Sequence, residues 1–267
     1  MPAPIVTFIS DFGLQDWFVG VVHGVVNEVA PNAHVVDLNH LVPPGNVTRA
    51  AFILEAAAPD FAPGTVHLAV VDPGVGTTRR AIAVRSHGQY FVGPDNGLLE
   101  WALADPKAEV HALTETRWFR TPVSRTFHGR DVFAPVAGHL SRGEDIAAFG
   151  LRVTDPVRLA LARARREGDG LRGQVVFIDR FGNALTNLTG ASVVEAFGPL
   201  PPERLQLQVL DRKVVGLSRS YGDSPVGTLV AILGSSGRIE IAQVGGDAAV
   251  RLGLGEGDPV TVRPVPA

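Results

Sequence analysis

The seven residues "PIVTFIS", Pro4 to Ser10, and the helix-spaced stretch after them constrain this chain more than any other feature. The seven carry no charge and read as a short buried strand, and residues 16–29 then place Trp17, Phe18, Val21, Val22, Val25, Val26 and Val29 at helical spacing before Pro31 ends the helix. "AHVVDL" reads as the next strand, "GNVTRAAFILEAA" as a helix with Asn46 as its cap, and "GTVHLAVVD" as a third strand. This β-α-β-α-β order predicts an α/β domain built on a mostly parallel sheet with helices on its faces. Strands over Ala81–Arg85 and Gln89–Val92 and helices within "GPDNGLLEWALA" and over Asp131–Leu140 extend the same pattern.

The pattern changes in "DPVRLALARARREGDGLRG", a charged stretch with glycines that places a domain boundary within residues 155–172. We divide the chain into residues 1–160 and 161–267. Beyond the boundary come short strands broken by glycine and proline: "GQVVFID", "RLQLQVL", "KVVGLS", "TLVAILG", "RIEIAQ" and "PVTVRPV". They predict an all-β, barrel-like C-terminal domain. With 267 residues, 45% of them hydrophobic, both domains have enough apolar material for a core. The net charge of −3 offers no basic surplus for nucleic acid or an anionic membrane, and no segment approaches the roughly 20 apolar residues that span a bilayer. The expectation is a soluble, cytoplasmic protein with a small-molecule partner. The absence of cysteine excludes disulfides, thiolate metal sites and cysteine nucleophiles.

Ligands of open parallel sheets bind beyond the carboxyl ends of the strands, where Asp11, Asp37 and Asp72 all fall. Asp37 has no supporting motif. Asp72 opens "VVDPGVGTTRR", in which Pro73 fixes the backbone, Gly74 and Gly76 permit close approach of a ligand, and Arg79 can pair with the acid. An ion-paired β-turn would account for the stretch equally well. In "RTFHGRDVFAP", His128 sits in a glycine turn as a candidate base, proton shuttle or metal ligand, or as a structural residue. His23, His34, His40 and His67 with the three acids invite a metal reading, but no metal-binding spacing occurs and no metal is expected. "FIDRFGNALTNL" sets Asp179, Phe181, Asn183 and Asn187 around a glycine, as a plain hairpin or a seat for a planar heterocycle. In "ILGSSGRIEIA", Ser235 and Ser236 could take a carboxylate.

Together "FISDFGLQDWFVG", "VVDPGVGTTRR", "VGPDNGLL", "TFHGRD", "IDRFGNALTN" and "GSSGRIEIA" resemble, in order and over nearly the whole chain, the S-adenosylmethionine (SAM) hydroxide adenosyltransferases. These SAM hydrolases are related to the fluorinating and chlorinating SAM enzymes. The resemblance implies an α/β domain and a β-barrel domain, a homotrimer holding SAM at subunit interfaces, and hydrolysis to adenosine and methionine without a cofactor. It puts the catalytic roles on Asp72, Arg79 and His128, and substrate binding on Asp11 (ribose), Phe127, Asp179 (methionine amino group), Phe181 and Asn183 (adenine), and Ser235 and Ser236 (methionine carboxylate). The acid and histidine that the halogenating branch lacks are present here, which disfavours halide transfer. An arginine of that branch is replaced by Ser236, which leaves the carboxylate's counter-charge unassigned. Halide-dependent adenosyl transfer and non-catalytic adenosine or SAM binding stand as the alternatives.

Overall fold

A computed structural model describes residues 3–265, which fall into two compact units divided between Ala160 and Leu161. The first unit contains β1 (Ile5–Ser10), α1 (Phe18–Val29), β2 (His34–Asn39), α2 (Val47–Ala57), β3 (Val66–Val70), β4 (Ala81–Ser86), β5 (Gln89–Pro94), α3 (Glu100–Leu103), β6 (Glu109–Ala112) and α4 (Ala134–Ser141). Its sheet runs β2-β1-β3-β5-β4-β6. β1, β2, β3 and β5 are parallel, and β4 is antiparallel to β5 and β6. The antiparallel strand comes from the tight β4–β5 hairpin, whose His87 and Gly88 both have positive φ and so match the twist of the strands they join.

Both faces of this sheet are covered, which is why its central strands read as continuous apolar runs. Side chains alternate between two cores. Val6 and Phe8 of β1 and Val66, Leu68 and Val70 of β3 meet Val22, Val25 and Val26 of α1 and Val136, Ala137 and Leu140 of α4. Ile9 and Ala69 point the other way, onto Ala50, Ala51 and Leu54 of α2 and Ala102 and Leu103 of α3. Asn46 caps α2 by accepting from the Arg49 amide at 2.9 Å. The helix that leaves β1 therefore covers one face and the helix that leads into β3 covers the other. Such a reversal opens a crevice beyond the carboxyl ends of β1 and β3.

Instead of an ordinary helix from Asp131, the chain after His128 makes a π-helical turn over Gly129–Phe133 before α4. The wider turn, which is commonly found at functional sites, buries Asp131 while leaving His128 half-buried.

The second unit contains β7 (Arg165–Glu167), β8 (Gly170–Ile178), β9 (Ala184–Thr189), α5 (Gly190–Phe197), β10 (Leu205–Val209), β11 (Arg212–Val215), β12 (Leu229–Leu233), β13 (Arg238–Gln243), α6 (Ala248–Leu252) and β14 (Pro259–Pro264). Its sheet is antiparallel throughout, in the order β11-β10-β14-β8-β9-β13-β12, with β7 added beside β8. Long β8 bends at a bulge after Val175, so that its first half pairs with β14 and its second with β9. Beyond β11 the Ser218 amide donates to Ala231 of β12 at 2.8 Å, which nearly closes the sheet into a barrel around Leu171, Val175, Leu207, Ile239, Ile241 and Val262. The capping box of Thr189 and Ser192 starts α5, a helix too short for its periodicity to stand out in the sequence. Among the described residues no helix is long and apolar enough to cross a membrane.

One buried polar residue of the first unit ties its stability to pH. His67 on β3 is fully buried, bonded through Nδ1 to the Thr7 hydroxyl at 2.8 Å and stacked on Phe91. Burial pushes its pKa down to about 4, from 6.5 in the unfolded chain. The folded ring stays neutral while the unfolded one takes up a proton, so stability is full above the unfolded value and falls as the pH drops toward the folded one. Acidifying from roughly pH 7.5 to roughly pH 4.5 should remove about 2–3 kcal/mol through this group. Denaturant unfolding at both pH values is expected to show the native chain losing that much more stability than His67→Leu.

Candidate functional site

The loops that leave β1 and β3 meet in the crevice that the topology predicts. Together with the segment before the π-helical turn they line a cavity of ≈ 440 Å³, whose walls include Asp11, Phe12, Phe18, Gly45, Asp72 and Phe127. His128 stands on the same wall. Asp11 accepts from the Gly45 amide at 2.8 Å through one carboxylate oxygen. The rings of Phe12, Phe18 and Phe127 meet edge to face or tilted, with centroids 5.4–6.0 Å apart, and form an apolar wall that suits a flat or sugar-bearing ligand.

Asp72, Arg79 and His128 form one hydrogen-bonded set. Arg79 grips Asp72 with both arms of its guanidinium: Nε donates to Oδ1 at 2.8 Å and Nη2 donates to Oδ2. Nη2 also lies 3.0 Å from His128 Nδ1. Only 6% of the Asp72 side chain and 11% of the Arg79 side chain are exposed, so the pair is shielded from the screening that weakens surface ion pairs. The guanidinium lies 5.2 Å from the centroid of the Phe133 ring, which steadies it from behind. Arginine has no acceptor, so His128 Nδ1 must accept and the neutral ring carries its hydrogen on Nε2. Burial, and next the charge of Arg79, hold the His128 pKa below its usual 6.5, with Asp72 and Asp131 opposing. The imidazole is therefore neutral near neutral pH.

The loop holding Asp72 is a pair of successive turns: the Val75 amide reaches the Asp72 carbonyl at 3.2 Å, and the Thr77 hydroxyl reaches the Gly74 carbonyl at 2.7 Å. Gly76 has φ +77, and a Cβ there would lie 2.4 Å from the Arg125 carbonyl oxygen. At this position glycine joins the turn bearing Asp72 and Arg79 to the segment bearing His128. Asp131, which sequence reasoning passed over, anchors the second segment: its carboxylate accepts from Arg130 Nε at 2.6 Å and from the Ser124 amide at 2.8 Å. Its pKa lies below the usual carboxylate range, burial raising it but the Arg130 and Ser124 bonds more than compensating. The acid in "TFHGRD" was the available signal.

Asp37 does not line the cavity. A separate depression of ≈ 480 Å³ beside α1 includes Arg120, Arg130 and Asp131, but these charges are already paired, Arg120 with Glu28 and Arg130 with Asp131.

In the second unit, Asp179 folds the β8–β9 hairpin. Its Oδ1 accepts from the amides of Phe181 at 2.8 Å and Asn183 at 2.9 Å, and its Oδ2 accepts from Asn183 Nδ2 at 2.9 Å. Asn183 is buried by this arrangement, whereas the Phe181 ring is 76% exposed. Ser235 and Ser236 lie in the β12–β13 turn, both exposed at the surface of the unit. Behind that turn, buried Glu240 accepts from the Tyr221 hydroxyl at 2.8 Å, and Gly234 leaves room for its carboxylate, which a Cβ would overlap. Burial, then Glu240 and more weakly Asp179, push the Tyr221 phenol up to about 12. Tyr221 and Glu240 thus connect the surroundings of Asp179 with the serine turn, a link that no spacing in the sequence announces.

A methyl group at Gly76 would both strain the backbone and collide with Arg125. Gly76→Ala should cost about 1–3 kcal/mol in denaturant unfolding. Gly20→Ala on α1, where a Cβ meets nothing within 4 Å, should leave stability unchanged or raise it.

Comparison with known proteins places this arrangement. Residues 6–150 match the SAM hydroxide adenosyltransferase N-terminal domain and residues 173–261 the C-terminal domain of the same family. The chain is 43% identical to the (R)-S-adenosyl-L-methionine hydrolase of Salinispora tropica over 98% of each chain. It is 44% identical to the enzyme of that name from Thermus thermophilus, over 96% of this chain and 98% of the other. The crystal structure of an uncharacterized conserved protein from Thermotoga maritima superposes with a TM-score of 0.90 at 35% identity, over 97% of this chain and 99% of that one. The chain belongs to the SAM hydroxide adenosyltransferase family.

Proposed function

We propose that this protein is an enzyme that hydrolyses S-adenosyl-L-methionine to adenosine and L-methionine, acting on the (R)-sulfonium epimer that the names of its relatives specify. The observation that carries the reading is the single guanidinium of Arg79 bonded to both Asp72 and His128 beside a cavity that Asp11 and Phe127 also line. In the reaction a water oxygen bonds to C5′ as the C5′–S bond breaks. The bonding pair passes to sulfur and methionine leaves as a neutral thioether, so the leaving group requires no acid. What remains is to hold the water in line behind C5′ and to accept its proton.

We divide those tasks among the three side chains. Arg79 cannot act as a base. Because it donates to His128 Nδ1, the imidazole presents Nε2–H to the cavity and orients the water, and the Asp72 carboxylate, with lone pairs left beyond those that Arg79 uses, takes the proton. Asp11 has one carboxylate oxygen bonded to Gly45, which fixes its plane, and the group faces the ribose diol. We assign adenine to Phe181 and Asn183, the methionine ammonium to Asp179 and the methionine carboxylate to Ser235 and Ser236. We further propose a cytoplasmic homotrimer in which neighbouring subunits complete each site, with no metal or cofactor in the chemistry.

Purified protein incubated with each sulfonium epimer, with and without chloride, should release adenosine and methionine in equal amounts from the (R) form and no 5′-chloroadenosine. A halogenated product, or no turnover of either epimer, would sink the reading. Asp72→Asn should lower turnover by roughly 10²–10⁴-fold. His128→Gln, which can still accept from Arg79 and donate to water, should retain clearly more activity than His128→Ala; equal loss in both would make His128 the proton acceptor instead. Protonating Nδ1 breaks its bond to Arg79, so activity should be level above pH 6.5 and decline below it, with an apparent pKa under 6.5.

A further inference from the structure

A second cluster of chemically capable side chains lies outside the cavity and takes no part in the proposed reaction. His23 comes from α1, Asp37 from edge strand β2, and His40 from the residue after that strand's end. His23 Nε2 is 2.7 Å and His40 Nε2 is 2.9 Å from the same Asp37 oxygen. One potential ligand atom from each of the three residues lies within 4.8 Å of the others.

His40 makes the cluster more than a surface ion pair. Its ring is buried, 3% exposed, and its Nε2 has no hydrogen-bond partner of acceptable geometry although Asp37 is 2.9 Å away. Its other nitrogen lies 2.7 Å from the Ser10 hydroxyl, which also accepts from the Phe12 amide. The approach of Asp37 is too poorly aligned to satisfy His40 Nε2, so a buried nitrogen is left without a good partner beside a carboxylate. A cation bound between the two would satisfy both. Phe8 packs against both rings, with centroids 6.1 Å from His23 and 4.6 Å from His40, and holds the pair without competing for their nitrogens.

We propose that His23, Asp37 and His40 bind one divalent first-row transition-metal ion, zinc by preference. Two imidazoles and a carboxylate are a donor set suited to zinc, with a fourth position open to water because His23 and Asp37 are partly exposed. Tetrahedral zinc holds its ligand atoms about 3.3 Å apart, so the two imidazole nitrogens would each draw back from the Asp37 oxygen by about half an ångström to admit the ion. Ser10 is the outer-sphere partner that fixes the His40 tautomer. The ion would fasten α1 to the end of β2 and, through Ser10 and the bond from the Gly13 amide to the His40 carbonyl, steady the loop that carries Asp11. The proposal stands whatever the substrate.

Tag-free protein stripped with a chelator should bind one zinc ion per chain in calorimetric titration and by metal analysis. Cobalt(II) in its place should give the visible bands of a tetrahedral site, and zinc should raise the thermal midpoint. Asp37→Asn and His23→Ala, both partly exposed and compatible with folding, should abolish stoichiometric zinc uptake and the cobalt bands, while Ser10→Ala should weaken affinity by roughly 10–100-fold. Uptake well below one ion per chain, or uptake that both Asp37→Asn and His23→Ala leave intact, would overturn the proposal. Because none of these readouts involves turnover, failure here is distinguishable from failure of the hydrolase reading.

Discussion

A single guanidinium organises the first unit's site. Arg79 serves twice, once as a two-armed clamp on Asp72 and once as the donor that fixes the His128 tautomer. A lysine could supply the charge but not the planar fork, since its ammonium offers no paired, coplanar donors. The carboxylate is therefore held in orientation as well as in charge, and the imidazole is held neutral and with a defined hydrogen. Everything beneath serves this placement. The reversal of helix layers around β1 and β3 opens the crevice, the two turns after β3 aim Asp72 into it with Arg79 beside it, and the π-helical turn brings His128 alongside while Asp131 sinks into the protein.

The second unit carries a different kind of order. Asp179 is consumed in shaping its own hairpin, and the result is a buried Asn183 beside an outward Phe181. An exposed aromatic ring on so tightly bonded a turn loses little freedom when it meets a ligand face, which lowers the ordering cost of a stacking contact. Tyr221 and Glu240 perform a similar service behind the serine turn, with a buried carboxylate satisfied by a phenol and seated against a glycine.

Much of this was legible in the sequence because it is local. The switch from helical to alternating periodicity marks the two units, Asn46 announces its helix, and Asp72 and Arg79 sit seven residues apart in a glycine turn where a contact is almost forced. His128 is 49 residues from Arg79, and only its motif, not its spacing, suggested that the two would meet. The π-helical turn left no mark because it has the composition of an ordinary helix start. The sequence offered His23, His40 and Asp37 as metal candidates among several others but could not single them out as a cluster: metal-site spacings describe ligands on one helix or loop, whereas here a helix and an edge strand meet across the chain fold. Tyr221 and Glu240 likewise depend on the barrel's closing, which no short window of sequence contains.

The close approach of Gly76 to Arg125 bears on how such a protein can diverge. The backbones on either side of that contact leave no room for even a methyl group, so the turn and the segment behave as two halves of one casting. The stretch between them runs away through β4, β5 and β6 before it returns, so a change of length there need not disturb the contact, whereas one within either half would. The turn and the segment must therefore change together, and a chimera that takes one from a distant cousin without the other starts with a misfit at the Gly76–Arg125 contact.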